Sequence, residues 1–408
     1  MAYSVIFGAG KIARGFIAHL LALSHEDFVF VEKAQELVDL LNDRKQYAIN
    51  ILGVPEKNML VSGVKALSYA DRDEISSAIS KASILFTAVG GKNLPEIVPV
   101  LVEGITARFE AGNNKPLNII TCENWKQPAE LLRNAILLNL NAKYQEQFIE
   151  LVGIVEAVVM RSAIEAGSEA LKADPLIVNV QDYWILPVDA SRIKGKLPEI
   201  KGITPIESFE GFLERKFYTY NAANGTVSYL GYLRGHSLIS EAAADPEILE
   251  ILSGVYLETG AALAKKFNLK PEDQLAFAKS SLVKLQDRTI VDTIERNARD
   301  PVRKLGPQDR LVGPARLVLE NGGKPACLSL AIAAAIHYDE PSDGIALELK
   351  RMRNEKGVDF ILESICGIDL DSELAVLIKK GVIQLKNRGW IKKSVIQTKN
   401  RGWIKEES

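Results

Sequence analysis

The sequence predicts an α/β protein in which an N-terminal, doubly wound parallel sheet precedes a mainly α-helical C-terminal domain. Three observations support this fold class. Short apolar runs alternate with helix-period segments up to about residue 190, a glycine-rich turn directly follows the first apolar run, and long helix-period stretches dominate from about residue 206. Strands that alternate with helices are typical of βαβ units and therefore of a parallel sheet.

The order of the predicted elements follows this alternation. Strands or extended segments are predicted at residues 3–7, 28–31, 47–52, 59–66, 84–89 and 117–122, and helices at residues 12–23, 35–41, 94–109 and 128–140. Two further β-rich runs, at residues 152–160 and 176–187, either extend the sheet or lead into the second domain. Helices are then predicted at residues 207–220, 247–266 and 328–336, which places the domains at residues 1–190, 191–380 and 381–408.

The last of these segments contains an internal repeat. The stretch Val382–Lys392 recurs as Val395–Lys405, with an offset of 13 residues. Two copies are too few for a solenoid. The duplication predicts a polar tail or hairpin at residues 381–408, and a basic tail with a function of its own is the alternative.

Composition favours an ordinary globular protein with a small-molecule partner. Its 408 residues carry a formal net charge of −2, which argues against a nucleic-acid partner. No apolar run approaches the roughly 18 residues that span a membrane, and the N-terminus lacks the basic and apolar regions of a signal peptide. The three cysteines (Cys122, Cys327 and Cys366) form no close pair and suggest reduced thiols in a cytoplasmic protein. The oligomeric state is left open.

The glycine-rich turn has the pattern of a dinucleotide site. Gly8, Ala9, Gly10, Lys11, Ile12 and Ala13 read GxGxxA between a predicted strand and a predicted helix. In such a Rossmann domain the first glycine permits the tight turn. The second glycine lets the backbone approach a pyrophosphate at the helix N-terminus.

An acidic residue at the end of the second strand would select the cofactor. Glu32 occupies that place, where its carboxylate can accept hydrogen bonds from ribose hydroxyls and repel a 2′-phosphate. The sequence therefore predicts NAD rather than NADP, although the adjacent Lys33 softens this preference. Thr87, Val89 and Gly90 end a later strand with a small-residue loop, which either faces the same nucleotide crevice or forms a plain βα turn.

Several motifs then resemble one family. The opening from Gly8 to Phe16 is similar to the GAGxIxRGF opening of mannitol-1-phosphate 5-dehydrogenases, which belong to the mannitol (polyol-specific long-chain) dehydrogenase family. Further matches in the same order lie at residues 87–90, 118–124, 214–221, 229–236, 303–310 and 331–337. The resemblance runs to about residue 375 and excludes the duplicated tail.

The resemblance implies a metal-free oxidation with a lysine base. Lys216 and Asn221 match the family pattern Lys-x4-Asn-x2-His, and Asn124 matches the asparagine of its Cys-(Asp/Glu)-Asn motif. A lysine abstracts a hydroxyl proton near neutral pH only if burial or a nearby cation lowers its pKa from about 10.4. Two amide donors aimed at one oxygen would stabilise the oxyanion.

The spacing is compatible with one helix face, but simpler interpretations stay open. At 100° per residue, Lys216, Asn221 and Asn224 fall within an arc of roughly 140°. Lys216 as a solvated lysine and Asn221 as a helix-end residue are the alternatives. Asn224 stands where the family has histidine, and Met160 where it often has an acid; both departures suggest an altered substrate or a weakened enzyme.

The remaining polar candidates concern metal and phosphate. The four histidines (His19, His25, His236 and His337) show no zinc-ligand spacing, so no metal is expected. His236 resembles a family Gly-His pair or is structural, and His337 reads as a packed or exposed helical residue. Arg303 and Arg310 are the candidates for substrate phosphate, because the planar guanidinium bonds two oxygens at once. Pairing with Asp300 and Asp309 is the alternative for both arginines.

The sequence thus predicts an NAD-dependent oxidoreductase of a sugar-alcohol phosphate, with mannitol 1-phosphate and fructose 6-phosphate as the best single pair. A dehydrogenase of an unphosphorylated polyol or a hexuronate is the alternative within the same class. A dinucleotide-binding paralogue with little catalysis is the alternative from another class. No nucleic-acid or membrane partner is expected.

Overall fold

The computed structural model describes residues 3–164 and 166–391. The chain forms two compact units, Met1–Leu213 and Glu214–Ser408. The first unit continues past the predicted boundary near residue 190, because one later strand, Ile203–Ile206, still belongs to it. Leu186–Asp189 pairs in parallel with Ile203–Ile206, and Val188 forms a β-bridge to Ala157 beside the main sheet.

The first unit alternates strands and helices as the sequence predicts. Its strands are β1 Tyr3–Phe7, β2 Asp27–Glu32, β3 Gln46–Ile51, β4 Met59–Ser62, β5 Ala66–Ser68, β6 Ile84–Thr87, β7 Leu117–Thr121, β8 Val152–Glu156, β9 Ala163–Ile164, β10 Val178–Val180, β11 Leu186–Asp189 and β12 Ile203–Ile206. Its helices are α1 Ala18–Leu23, α2 Gln35–Arg44, α3 Arg72–Lys81, α4 Leu94–Glu110, α5 Pro128–Asn139, α6 Gln145–Leu151 and α7 Ser168–Ala173, and a π-helical turn, Ala13–Ile17, precedes α1.

Six parallel strands form the main sheet, in the order β5-β2-β1-β6-β7-β8. Strand β1 pairs with β2 on one side and with β6 on the other, so the strand order reverses next to β1. The buried residues of β1 alternate between two hydrophobic clusters: Val5 and Phe7 pack into one, and Ile6 packs into the other. The sheet therefore carries apolar layers on both faces, as a doubly wound fold requires.

The two β-rich runs after β7 form strands in different sheets. Residues 152–156 extend the main sheet as β8. The second run is split, since β10 joins a separate four-stranded sheet of order β4-β3-β10-β9, and β11 pairs with β12. The first run thus extends the sheet, which is one of the two possibilities left open, whereas the second run forms strands of separate small sheets within the first unit.

The second unit is helical, which confirms the predicted fold class. Helix α8 Phe209–Lys216 enters it and is followed by a π-helical turn, Phe217–Asn221, and then by α9 Ala222–Arg234, α10 Ile239–Ala244, α11 Pro246–Phe267, α12 Pro271–Leu285, α13 Ile294–Ala298, α14 Pro301–Lys304, α15 Val312–Glu320, α16 Ala326–Ile336, α17 Gly344–Ser364 and α18 Glu373–Asn387. Local signals set several starts. Asp245, for example, accepts hydrogen bonds from the N–H groups of Glu247 and Ile248, and Pro246 occupies the first position of α11.

The C-terminal repeat differs from the predicted polar tail in its first copy. Val382 and Leu385 are buried on α18, and Trp390 and Ile391 are buried after it. The first copy therefore belongs to the core of the helical unit. The second copy, Val395–Lys405, lies outside the described residues. Among the described residues, no helix is both long and apolar enough to cross a membrane.

Candidate active site

The glycine turn lies at the carboxyl end of β1. Gly8 has φ +90°, and a Cβ there would lie 2.5 Å from the carbonyl oxygen of Ala88, so the turn requires glycine. A Cβ on Gly10 would meet no atom within 4 Å, so the space above it is open. The Arg14 N–H donates to the Gly10 carbonyl, which begins the helix. Ala9 is buried, Lys11 is exposed and Ile12 is half-buried at this turn. These residues fit a dinucleotide pyrophosphate, because open backbone and a helix N-terminus meet at the switch point of the sheet.

Glu32 ends β2 beside this turn. Its carboxylate accepts backbone hydrogen bonds from Ala9 at 2.7 Å, from Lys33 at 2.8 Å and from Ala34 at 2.9 Å. A carboxylate has about four acceptor positions. Glu32 therefore anchors the turn and retains roughly one acceptor position for a ribose hydroxyl.

The loop after β6 is held by a carboxylate that the sequence analysis did not single out. The buried Glu123 accepts hydrogen bonds from the N–H groups of Val89 at 3.0 Å and Gly90 at 2.9 Å. Burial raises the pKa of Glu123, and these backbone donors oppose the rise. Thr87 is buried at the end of β6, where it pairs in register with Phe7. Glu123 lies within the matched Cys-Glu-Asn motif, and this motif is the sequence signal that could have identified it.

Two further predicted residues of the first unit differ in exposure. Asn124 is exposed on the loop that follows β7. Met160 is buried, and its sulfur accepts a hydrogen bond of 3.3 Å from the hydroxyl of Tyr183. A thioether brings no charge to the place where the family often has an acid.

Lys216 directly precedes the π-helical turn of the second unit, and Asn221 is the last residue of that turn. Lys216 ends α8, and the turn runs from Phe217 to Asn221 before α9 begins. The i→i+5 hydrogen bonds of a π-turn make five residues span roughly one turn. The predicted arc assumed a regular α-helix; the π-turn instead brings Lys216 and Asn221 onto nearly one face. Their side chains make no hydrogen bond to any residue that the structure describes.

The environment of Lys216 is cationic. Burial, and then the guanidinium of Arg310, lower the pKa of Lys216. Burial and the charge of Lys216 lower the pKa of Lys284 to about 8. Lys304 is buried, and burial followed by the charges of Arg310 and Arg303 lowers its pKa to about 7. Lys304 directly follows the predicted phosphate ligand Arg303 in the sequence, whereas nothing local distinguished Lys284.

The two predicted phosphate ligands both form ion pairs. The Arg303 guanidinium donates to Asp300 at 2.7 Å and to Asp309 at 3.4 Å. Arg310 donates to Asp309 at 2.9 Å, and its guanidinium lies 5.5 Å from the ring centre of Phe217 in the π-turn. Pairing with these acids, the simpler interpretation of the sequence, is therefore present for both arginines. Only Arg310 also contacts the π-turn.

Asn224 makes a side-chain contact with a residue that the sequence analysis missed. Its Nδ2 donates a hydrogen bond of 3.0 Å to Oδ1 of Asn297 on α13. The backbone carbonyl of Asn297 in turn accepts a hydrogen bond from the Nζ of Lys304. Asn224 is thus linked through Asn297 to Lys304, which lies near Arg310.

The histidines lie in structural settings. His236 pairs with Asp245 at 2.9 Å, and His337 donates to the carbonyl of Ala333 at 2.8 Å. Buried His19 accepts from Arg161 at 3.1 Å, while His25 is exposed in a left-handed turn. Residues 3–164 and 166–391 contain no cluster of three or more His, Cys, Asp or Glu side chains arranged to hold a metal ion.

The glycine turn at the switch point of the parallel sheet defines the first unit as a dinucleotide-binding Rossmann domain. Family models described as the mannitol dehydrogenase Rossmann domain and the mannitol dehydrogenase C-terminal domain match residues 3–202 and 208–376. The chain therefore belongs to the mannitol dehydrogenase family, which confirms the resemblance. It is an oxidoreductase, a polyol dehydrogenase by family, and NAD is its cofactor.

Relatives and solved structures agree with this family. The mannitol-1-phosphate 5-dehydrogenase of Brevibacillus brevis is 35% identical over 383 residues, which are 94% of this chain and 98% of the relative. That of Bacillus subtilis is 35% identical over 376 residues, 92% of this chain and 98% of the relative.

The solved structures share the fold at low identity. D-sorbitol dehydrogenase in substrate-free form has a TM-score of 0.78 at 16% identity, covering 95% of this chain and 93% of that chain. Pseudomonas fluorescens mannitol 2-dehydrogenase, in a ternary complex with NAD and D-mannitol, has a TM-score of 0.63 at 15% identity, covering 95% and 92%.

Proposed function

We propose that the chain interconverts a polyol phosphate and a ketose phosphate, with mannitol 1-phosphate and fructose 6-phosphate as the pair. Lys216 is the general base, and no metal takes part. The lowered pKa of Lys216 beside Arg310 carries the proposal, because a lysine must lose its proton near neutral pH to serve as a base. The names of the two bacterial relatives support the substrate.

The reaction assigns one task to each side chain. In the oxidation, the substrate hydroxyl gives its proton to the Nζ of Lys216, and the carbon–oxygen bond becomes a double bond as the carbon loses a hydride. NAD, when bound, supplies the hydride acceptor. Asn221 donates a hydrogen bond to the oxygen as its negative charge develops. The same task for Asn124 is proposed from its motif alone.

The charge balance of the helical unit favours an anionic substrate. Lys284 and Arg310 add positive charge beside Lys216, and Lys304 adds it beside Arg310. The pKa of Lys284 is lowered to about 8 and that of Lys304 to about 7. These cations repel one another, and a phosphate dianion would reverse that repulsion. Arg310, with Arg303 beside it, is the proposed phosphate ligand. The phosphate must compete for these arginines with Asp309, which pairs with both.

The test is NADH oxidation with four ketoses in parallel: fructose 6-phosphate, fructose, tagaturonate and fructuronate. We expect turnover on fructose 6-phosphate with kcat/KM at least about a hundredfold above that on fructose, because charge-assisted hydrogen bonds to phosphate contribute about 1.5–3 kcal/mol each. Dialysis against EDTA should leave the rate unchanged. Arg310→Gln should raise KM for fructose 6-phosphate more than KM for fructose. Because it also removes a positive charge beside Lys216, it should move the pH profiles on both ketoses to higher pH. The exposed Arg288→Gln is the control.

Other results of the four-ketose assay would support a different substrate or function. Equal turnover of fructose and its phosphate would reject the phosphorylated substrate, and turnover of a hexuronate would move the substrate within the class. NADH binding without turnover on any of the four ketoses would favour a dinucleotide-binding protein with little catalysis.

A further inference from the structure

Helix α13 is packed against α9 through several defined contacts. A Cβ on Gly231 of α9 would lie 2.7 Å from the Cδ1 of Ile294, so the Ile294 side chain packs closely onto the backbone of α9 at this glycine. The hydroxyl of Tyr229 donates to the carbonyl of Ala298 at 3.0 Å. The start of α13 is fixed as well, since the Ile294 N–H donates to the carbonyl of Ser237 at 2.9 Å. The side chain of Asn297 on α13 therefore has a defined position relative to α9.

The chemistry around Asn297 fixes which way its amide faces. Its Nδ2 donates to the carboxylate of Asp292 and to the carbonyl of Thr293, the latter at 2.9 Å. The carbonyl oxygen of Thr293 can only accept a hydrogen bond. The same holds for the Asp292 carboxylate, which is also paired with the Arg296 guanidinium at 2.7 Å. The two hydrogens of Nδ2 are thereby used, and Oδ1 must face the other way, towards α9.

That orientation dictates the amide of Asn224. Since Asn297 presents Oδ1, Asn224 must present Nδ2, and the observed bond of 3.0 Å has this polarity. The Oδ1 of Asn224 receives no hydrogen bond from the part of the chain that the structure describes. Asn224 lies three residues after Asn221, so the two are neighbours on the helix surface.

We propose that Asp292 and Asn297 form a positioning chain that turns the amide of Asn224, so that its Oδ1 accepts a hydrogen bond from a substrate hydroxyl. Asn224 then binds the substrate only as a hydrogen-bond acceptor, through its Oδ1. Asn297 does not contact the substrate and acts through Asn224. This inference rests on the proposed function, because it assigns a contact to the substrate of that reaction. It gives the asparagine in the family's histidine position a task that requires Asn297.

The test is a double-mutant cycle in the full-length chain at saturating NADH. Asn224→Ala and Asn297→Ala should each raise the substrate KM about tenfold, with kcat changed less than about threefold, since each removes one oriented hydrogen bond in the bound state. The double variant should also show about a tenfold rise, because the two residues act as one unit. Asn321→Ala, which removes an amide bond to the carbonyl of Leu317 in the same unit, is the matched control and should leave KM unchanged.

A KM rise of about a hundredfold in the double variant, or an unchanged KM in Asn297→Ala, would overturn the positioning chain. A second readout needs neither turnover nor a known substrate. With selectively ¹⁵N-labelled asparagine, the side-chain amide signal of Asn224, assigned from its loss in Asn224→Asp, should move towards the position of a solvent-exposed amide in Asn297→Ala. If that signal stays in place while the fold is retained, Asp292 and Asn297 do not form a positioning chain for Asn224, whatever the substrate of the enzyme.

Discussion

The Glu32 carboxylate accepts a hydrogen bond of 2.7 Å from the backbone N–H of Ala9, so the end of β2 is tied directly to the glycine turn of β1. The other carboxylate oxygen accepts from Lys33 and Ala34. The Glu32 side chain therefore holds the turn in shape, and we propose that it also places negative charge where a ribose 2′ substituent would lie.

Glu32→Ala should reduce kcat/KM for NAD by about tenfold to a hundredfold, because it removes charge-assisted bonds that each contribute about 1.5–3 kcal/mol. The kcat/KM for NADP should fall less or rise, since the repulsion of a 2′-phosphate is lost. The ratio of the two, measured at one substrate concentration, checks this. Glu36→Ala on the exposed start of α2 is the control, and an unchanged ratio in Glu32→Ala would remove Glu32 from cofactor selection.

Lys216→Met should lower kcat for polyol oxidation by about 10²–10⁴-fold, the usual contribution of a general base. Binding of NADH, followed by its fluorescence, should be unchanged, because the glycine turn is in the first unit. Lys279→Met on the exposed side of α12 should keep full activity. Near-normal turnover in Lys216→Met would show that another group removes the proton.

The two reaction directions should depend on pH with opposite sign. Oxidation needs the neutral amine, so its rate falls as the pH drops through the lowered pKa of Lys216. Ketose reduction needs the protonated amine, so its rate falls as the pH rises through the same pKa. Lys284→Gln removes a neighbouring positive charge and should move both limbs to higher pH. Profiles of kcat in both directions measure this shift; a shift to lower pH would contradict it.

The fold was predictable because its signals are local. An apolar strand, GAGKIA and a helix in succession identify the dinucleotide half, and the change to helix-period stretches identifies the second unit. The mixed sheet of β3, β4, β9 and β10 was not predictable, since its pairings join residues far apart in the chain. The packed first copy of the repeat was also missed, because Trp390 and Ile391 are buried by contacts that composition does not show.

The site was predictable only as far as motifs reach. Lys216, Asn221 and the glycine turn each stand in a recognisable pattern, but the π-turn that sets the first two on one face has no sequence signal of its own. The contacts of Glu123, Lys284 and Asn297 are with tertiary neighbours that sequence spacing does not reveal.

The buried Lys304 should make stability depend on pH in a defined window. Burial and neighbouring arginines lower its pKa to about 7 in the folded chain from 10.5. The unfolded chain thus binds more protons between about pH 7 and 10.5, and the contribution of Lys304 to stability rises with pH across that window. The unfolding free energy of Lys304→Met minus that of the wild type should therefore decrease from pH 6 to pH 9 in urea titrations. A difference that is constant with pH would contradict the lowered pKa.

Glu123→Gln should destabilise the first unit by about 1–3 kcal/mol, because a glutamine oxygen can accept from only one of the Val89 and Gly90 N–H groups. The glutamine NH₂ would also face the second donor. Since this loop follows β6 at the switch point, the KM for NAD should rise while the KM for the polyol changes little. Chemical unfolding and initial rates measure the two effects, with Glu103→Gln, an exposed partner of Arg72, as the control. A stable variant with an unchanged KM for NAD would mean that Glu123 neither orders this loop nor supports the cofactor.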